Sequence, residues 1–217
     1  MFDVGAYMGY FAFLATASNP QVQAYAFEVI PELAAHCRKI ACLNPQLNVQ
    51  IINAAVGEKS GNLTMYVDNP WTSDSSAAPV HWPNRRPVVL PAVALDNFVQ
   101  IQGLTQLDLL KIDTETTESA VMRGMAKTVG RCRPYFIAEV LPKSNPGLLA
   151  DFIKTHGYVC AWINTAGLLP APKPVPDITL ADLNWLFYPA ELPGPMGAVV
   201  RARIAAAMVP GAASHAT

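Results

Sequence analysis

Short apolar runs that alternate with amphipathic stretches constrain this chain most. "QVQAYAF" (21–27), "VQIINAAV" (49–56), "LDLLKID" (107–113), "PYFIAEV" (134–140) and "YVCAWI" (158–163) read as strands, mostly buried. Between them lie segments of helical period. "IPELAAHCRKIACLN" puts Leu33, Cys37, Ile40, Ala41 and Asn44 on one side, with Pro31 suited to the first turn and Asn44-Pro45 as the stop. A second helix is expected from Glu115 to about Val129, with Val121, Met122 and Met125 on one side, and a third over "PGLLADFIKTHG", closed by Gly157. Such alternation implies βαβ units, hence an α/β fold with a doubly wound, mostly parallel sheet.

Other segments refine this outline. "GNLTMYV" (61–67) alternates like a strand nearer an edge, and "VVLPAVALDNF" reads as a strand leading into a short helix capped by Asp96. "LNWLFYP" (183–189) is the last strand. No helix separates it from "YVCAWI", only the Pro-rich "TAGLLPAPKPVPDI", so an antiparallel pair is expected at one edge. The stretch from Asp68 to Pro87 has no period and reads as a long loop, either functional or disordered. Residues 1–192 form one domain; residues 193–217 are an Ala- and Gly-rich tail, helical near 197–208 and then frayed.

Composition narrows the function classes. The chain of 217 residues is 52% hydrophobic and 14% charged, against about 25% charged in an ordinary soluble domain. A sheet covered on both faces has this bias, and so does a chain that forms homo-oligomers or contacts a membrane surface. The net charge is −1 with scattered basic residues, which leaves no electrostatic footprint for nucleic acid. No charge-free apolar stretch reaches about 18 residues, so no membrane-spanning helix is expected. Cys37, Cys42, Cys132 and Cys160 have neither C-x-x-C nor metal-ligand spacing. Cys37 and Cys160 read as small buried hydrophobes in a reducing, cytoplasmic compartment, and no metal is expected.

The opening "MFDVGAYMGYFAFLATA" admits two readings. A secretory signal would use its apolar stretch and the A-x-A site at Ala24-Tyr25-Ala26. It lacks a basic leading region, carries Asp3, and would take away the first strand of the sheet. The better reading is a strand ending at Asp3-Val4, a bend on Gly5 and Gly9, and a helix from about Tyr10. In doubly wound sheets the first strand-to-helix bend lies against the ligand. Glycine lets the backbone approach it closely. The next strand ends at Glu28, 19 residues after Gly9, where a carboxylate can accept both hydroxyls of a ribose. A dinucleotide fingerprint would need glycine at 7 and 10, where Tyr7 and Tyr10 stand.

The D-x-G-x-x-x-G arrangement resembles the first motif of class I S-adenosylmethionine-dependent methyltransferases. "FDVGAYMGYF", "AYAFEVIPEL", "INAAVGEKSG", "VALDNF", "LDLLKIDTETTE" and "RPYFIAEV" follow in the order and spacing of the FkbM family of methyltransferases, over roughly residues 2–188. The resemblance implies a Rossmann-like sheet of seven strands with an antiparallel edge strand. It also implies S-adenosyl-L-methionine as cofactor, and a sugar, glycan or secondary-metabolite hydroxyl as acceptor. The chain departs from the family at Tyr7 (often Asn), at Val29 (often Pro), and at Thr116-Thr117, which replace a Gly. It also starts almost on the motif, without the family's usual preceding helix, as a misassigned start or a fragment would.

Methyl transfer to a hydroxyl is an in-line displacement that gains from alignment and from a base that takes the proton. The candidate cofactor residues are Asp3, Gly5, Tyr7, Gly9 and Glu28, with Asn53 and Ala54 near the adenine. Asp113 ends its strand at the ligand edge and would hold the cofactor's amino group or the substrate; Glu115 is a candidate base. Glu118 reads as a complement to the helix dipole. Glu139 is again at the ligand edge, and clustered carboxylates raise one another's pKa. His81 is a further candidate base in the long loop, beside Trp71, Trp82, Arg85 and Arg86, which suit a sugar ring and an anionic group. Two rival readings stay open, a nicotinamide-dependent oxidoreductase and a non-catalytic binding or scaffold protein on the same fold.

Overall fold

The computed structural model describes residues 1–67, 86–142, 146–165 and 167–208. In chain order the elements are β1 (Phe2–Val4), α1 (Tyr10–Ser18), β2 (Ala24–Phe27), α2 (Pro31–Leu43), β3 (Val49–Ile52), β4 (Ala55–Val56), β5 (Gly61–Val67) and β6 (Arg86–Val93). They continue with α3 (Leu95–Ile101), β7 (Leu109–Ile112), α4 (Glu118–Arg123), α5 (Ala126–Cys132), β8 (Tyr135–Glu139) and α6 (Pro146–Thr155). The last four are β9 (Tyr158–Asn164), β10 (Gly167–Ala171), β11 (Asn184–Pro189) and α7 (Gly194–Ala207).

The main sheet runs β10-β9-β11-β8-β7-β1-β2-β3. From β3 to β8 all pairs are parallel. β11 lies between β8 and β9, antiparallel to both, and β10 closes the edge antiparallel to β9. The parallel α/β architecture is as expected, and β9 and β11 do form the antiparallel pair. The count is not seven, because the Pro-rich excursion supplies an eighth strand, β10. A second sheet, β4-β6-β5, accounts for "GNLTMYV" and "VVLPAV". The run "VQIINAAV" is therefore not one strand. It breaks at Asn53-Ala54, so β3 forms the half-exposed edge of the main sheet while β4 starts the second.

Strand pleating gives the main sheet two chemically different faces. Phe2, Val4, Tyr25, Phe27, Leu110 and Ile112 enter the largest core, beneath α3 and the α4–α6 helices. The Phe98 ring of α3 lies 4.9–5.7 Å from those of Phe2, Tyr25 and Phe27, all edge-on, an arrangement that the ring quadrupoles favour. The opposite face carries Ala24 and Ala26 against Ala12 of α1. Asp3 and Lys111 lie on that same face as register partners. α7 packs on β10, with Val200 buried among Tyr135, Leu186 and Tyr188.

Two helix expectations are corrected. The segment after Glu115 is two helices, not one, because Gly124 approaches the β4–β5 turn so closely that a Cβ there would lie 2.1 Å from the Gly57 carbonyl oxygen. Asp96 does not cap its own helix, whose N-cap is Ala94. It reaches across to cap α5, accepting from the Lys127 and Thr128 amides at 3.0 and 2.7 Å and from the Thr128 hydroxyl at 2.7 Å. That bonding satisfies donors that a helix start otherwise leaves unpaired. The four cysteines are unpaired, with Cys37 and Cys160 buried. Their thiols face the carbonyls of Tyr7 and Ala171. No described helix is long and apolar enough to cross a membrane.

Candidate active site

β1 leads on one side to β2 and β3, and on the other it borders β7, so the strand order reverses between β1 and β7. Parallel sheets open a crevice at such a point, beyond the carboxyl ends of the strands. Here the two ends touch. The Asp113 amide donates to the Val4 carbonyl at 2.9 Å, and a Cβ on Gly5 would fall 1.7 Å from the Asp113 carbonyl oxygen. Gly5 also has φ +74°, a left-handed conformation that side chains disfavour. The contact excludes a side chain there, and the φ disfavours one.

A cleft lies over this junction and holds about 600 Å3 of space, counting the part open to solvent at its mouth. Gly5, Tyr7, Glu28, Ala54, Asp113 and Glu115 line it, six of the ten residues singled out from the sequence. Glu28 faces the glycine bend. Its Oε2 accepts the Tyr7 amide at 2.7 Å and its Oε1 the Ile30 amide at 2.8 Å. Burial pushes the Glu28 carboxyl above its ordinary pKa, against the pull of these backbone amides. The Val29 amide adds a third backbone donor to the carboxylate, which has about four lone-pair directions.

Three of the singled-out residues stand outside the lining. Asp3 is buried beneath the bend, where its Oδ2 accepts the Ala12 amide at 3.0 Å. It caps α1 from the strand, because the N-cap itself is Gly9, which has no side chain to do so. Burial raises the Asp3 carboxyl to about 6, opposed by the Ala12 amide and by Lys111. Asn53 donates through Nδ2 to the carbonyls of Glu28 and Val29, both at 2.9 Å, and so steadies the end of β2. His81 lies outside the described residues, as do Trp71, Trp82 and Arg85.

Sequence reasoning missed the apolar walls of the cleft, Val29, Ile30, Leu33, Leu63 and Met65. Leu63 and Met65 are two apart in the alternating "GNLTMYV", which marks them as one face of a strand. Only the folding of β5 over the crevice puts that face on the site. Lys111 was missed too, since it sits inside an apolar run. Its Nζ lies 3.1 Å from Asp113 Oδ2 and 5.5 Å from the centre of the Phe11 ring.

Past β7 the backbone is strained at two successive residues, Glu115 (φ +52°) and Thr116 (φ +84°). Glu118 organises this turn. Its Oε1 accepts the amides of Thr114 and Thr116 and the Thr114 hydroxyl, each at 3.2 Å. Glu118 is therefore not simply a complement to the helix dipole. It is fully buried, and burial raises its pKa.

Comparison with known proteins accords with this geometry. An FkbM methyltransferase from Methylobacillus flagellatus KT superimposes with a TM-score of 0.56 at 14% identity, covering 87% of this chain and 43% of that one. The chain thus spans less than half the length of that protein. A precorrin-6y C5,15-methyltransferase from Geobacter metallireducens GS-15 aligns with a TM-score of 0.46 at 12% identity, over 86% of this chain and 76% of that one. A search of curated protein sequences finds no match. The sequence model of the methyltransferase FkbM domain matches residues 3–160, more than half of the chain, so this protein belongs to the FkbM family of methyltransferases.

Proposed function

We propose that the chain is an S-adenosyl-L-methionine-dependent O-methyltransferase whose acceptor is a hydroxyl of a sugar, glycan or other small metabolite. The observation that carries this reading is the meeting of Gly5, the Tyr7–Glu28 bond and Asp113 around one cleft where the strand order reverses. We assign residues 1–192 to the methyltransferase domain and 193–217 to a C-terminal extension, in a cytoplasmic protein that suits four free cysteines.

The cleft's residues fit such a cofactor. Glu28 would accept from the ribose hydroxyls alongside its backbone donors, and Ala54, Leu63 and Met65 offer apolar surface to an adenine. The bend from Gly5 to Tyr7 admits a ligand that has no pyrophosphate and so needs fewer glycines. When bound, the cofactor supplies an electrophilic methyl group on a sulfonium. The protein's part is to hold the acceptor oxygen in line with that group and to take its proton. Asp113 and Glu115, which line the cleft at the end of β7, are the groups for the second task. Asp3 and Gly9 act beneath the bend by holding α1 in place, and Asn53 by holding the end of β2.

Calorimetric titration with S-adenosyl-L-methionine and with NAD separates this reading from an oxidoreductase. Binding of the first alone, followed by transfer of a labelled methyl group to a hydroxyl in a panel of sugars and glycosides, is the expected result. Binding of NAD alone overturns the cofactor assignment. Binding with transfer only to nitrogen or carbon acceptors overturns O-methylation. Binding without any transfer favours a scaffold protein.

A further inference from the structure

Glu139 ends β8 one strand away from Asp113. Ile112 and Ala138 are register partners, so Asp113 and Glu139 leave their strands side by side, on the face that carries Lys111. On its other flank Glu139 pairs with Asn184 of β11, whose Oδ1 is buried and, among the described residues, without a partner. From α4, the fully buried Glu118 adds Oε2, also buried and without a partner. Among the described residues, the charged groups facing Glu139 are Asp113 and Lys111 of β7 and Glu118 of α4. Lys111 also faces Asp3, so one ammonium serves three carboxyls, Asp113, Glu139 and Asp3. Carboxylates this close, in a half-buried site, do not all ionise together.

We propose that Asp113 and Glu139 form one proton-accepting unit for the acceptor hydroxyl. Asp113 is the member that lines the cleft, and Glu139 is a positioning residue that sets its basicity. The proposal rests on the reading of the cleft as a methyl-transfer site. In the step concerned, the acceptor oxygen bonds to the methyl carbon and the methyl–sulfur bond breaks, its electron pair leaving to sulfur. The hydroxyl proton passes to Asp113, and half-exposed Glu139 returns it to water. Lys111, 3.1 Å from Asp113 Oδ2, steadies the two carboxyls while the charge changes. Burial, chiefly, and the Asp113 charge raise Glu139 to about 7, against the pull of Lys111. A protonated Glu139 donates to Asp113 and blunts it as a base, whereas an ionised one sharpens it.

The test follows carboxyl protonation by infrared difference spectroscopy on the full chain, with neither cofactor nor acceptor present. A carboxyl is expected to titrate near 7, to vanish in Glu139→Gln, and to titrate lower in Asp113→Asn, which removes the neighbouring charge. No carboxyl in that range, or one that Asp113→Asn leaves in place, overturns the unit; the two variants serve as alternatives should either fail to fold. The second arm is the pH profile of methyl transfer. Between pH 6 and pH 8 the parent's kcat/KM rises about tenfold, as one ionisation near 7 requires, and the Glu139→Gln profile is flat to within about twofold. A flat parent profile also overturns the proposal. Coupled titration without any transfer defeats the reading of the cleft and leaves the shared proton; transfer without coupled titration does the reverse.

Discussion

The Tyr7 amide donates to Glu28 Oε2 at 2.7 Å, joining the bend after β1 to the end of β2 across 21 residues of sequence. The Ile30 amide holds the other oxygen at 2.8 Å. The carboxylate is thus aimed before any ligand arrives.

Glu28→Gln tests that aim. The amide keeps one acceptor oxygen and much the same shape but loses the charge. Each charge-assisted bond contributes about 1.5–3 kcal/mol, so S-adenosyl-L-methionine should bind at least about tenfold more weakly. Titration calorimetry measures this directly, and equal affinity in a folded variant removes Glu28 from the cofactor site. Glu28→Ala is the poorer test, because it also leaves two amides unpaired.

Thr116 combines a β-branched side chain with φ +84° and a buried hydroxyl that has no partner. Glycine at this position removes about 1–2 kcal/mol of strain, offset by about 0.4–1 kcal/mol of extra unfolded-chain entropy. Thr116→Gly should therefore raise Tm by about 2–4 °C in a protein of this size. An unchanged or lower melting temperature would show that the turn relies on the threonine.

Gly124 and Gly130 form a matched pair. Gly124 has an ordinary φ of −70°, so its need for glycine is steric: the Gly57 carbonyl oxygen lies 2.1 Å from where a side-chain methyl would sit. Gly124→Ala should cost about 1–3 kcal/mol through overpacking. Gly130 lies within α5 with open space around it, and Gly130→Ala should stabilise by about 0.5–1 kcal/mol. Thermal melts of the two variants should move in opposite directions; movement in the same direction contradicts the assigned contact.

Asp3 predicts a pH dependence of stability. Its folded pKa is about 6 against an ordinary 3.8, so the folded state binds the proton more tightly than the unfolded one. Stability from this group is greatest at low pH, falls as pH rises through about 4 to 6, and then stays lower by about 3 kcal/mol. Asp3→Asn keeps an acceptor for the Ala12 amide but cannot titrate. The Tm of the variant relative to the parent should climb between pH 4 and pH 7; a constant offset would show that Asp3 does not titrate in this range.

Much of the fold is legible without coordinates. Periodicity marks β2, β7, β8, β9 and β11 and the helices α2 and α6, since strand and helix periods expose different faces, and the glycine bend marks β1. It misplaces what depends on partners. β10 hides in a Pro-rich stretch because an edge strand tolerates proline. The break in "VQIINAAV" depends on a second sheet that no local signal announces. Asp96 looks like the cap of its own helix because the donors it serves lie 31 and 32 residues away.

The same division runs through the site. By itself the sequence determined the glycine bend, the acidic strand ends Glu28 and Asp113, and the family, because these depend on residue type and spacing along the chain. Tertiary structure decided that Asp3 lies under the bend, that Leu63 and Met65 wall the cleft, and that Lys111 meets Asp113, Glu139 and Asp3. Those outcomes depend on which strands become neighbours and how deeply each charge is buried, and neither has a local imprint in the order of residues.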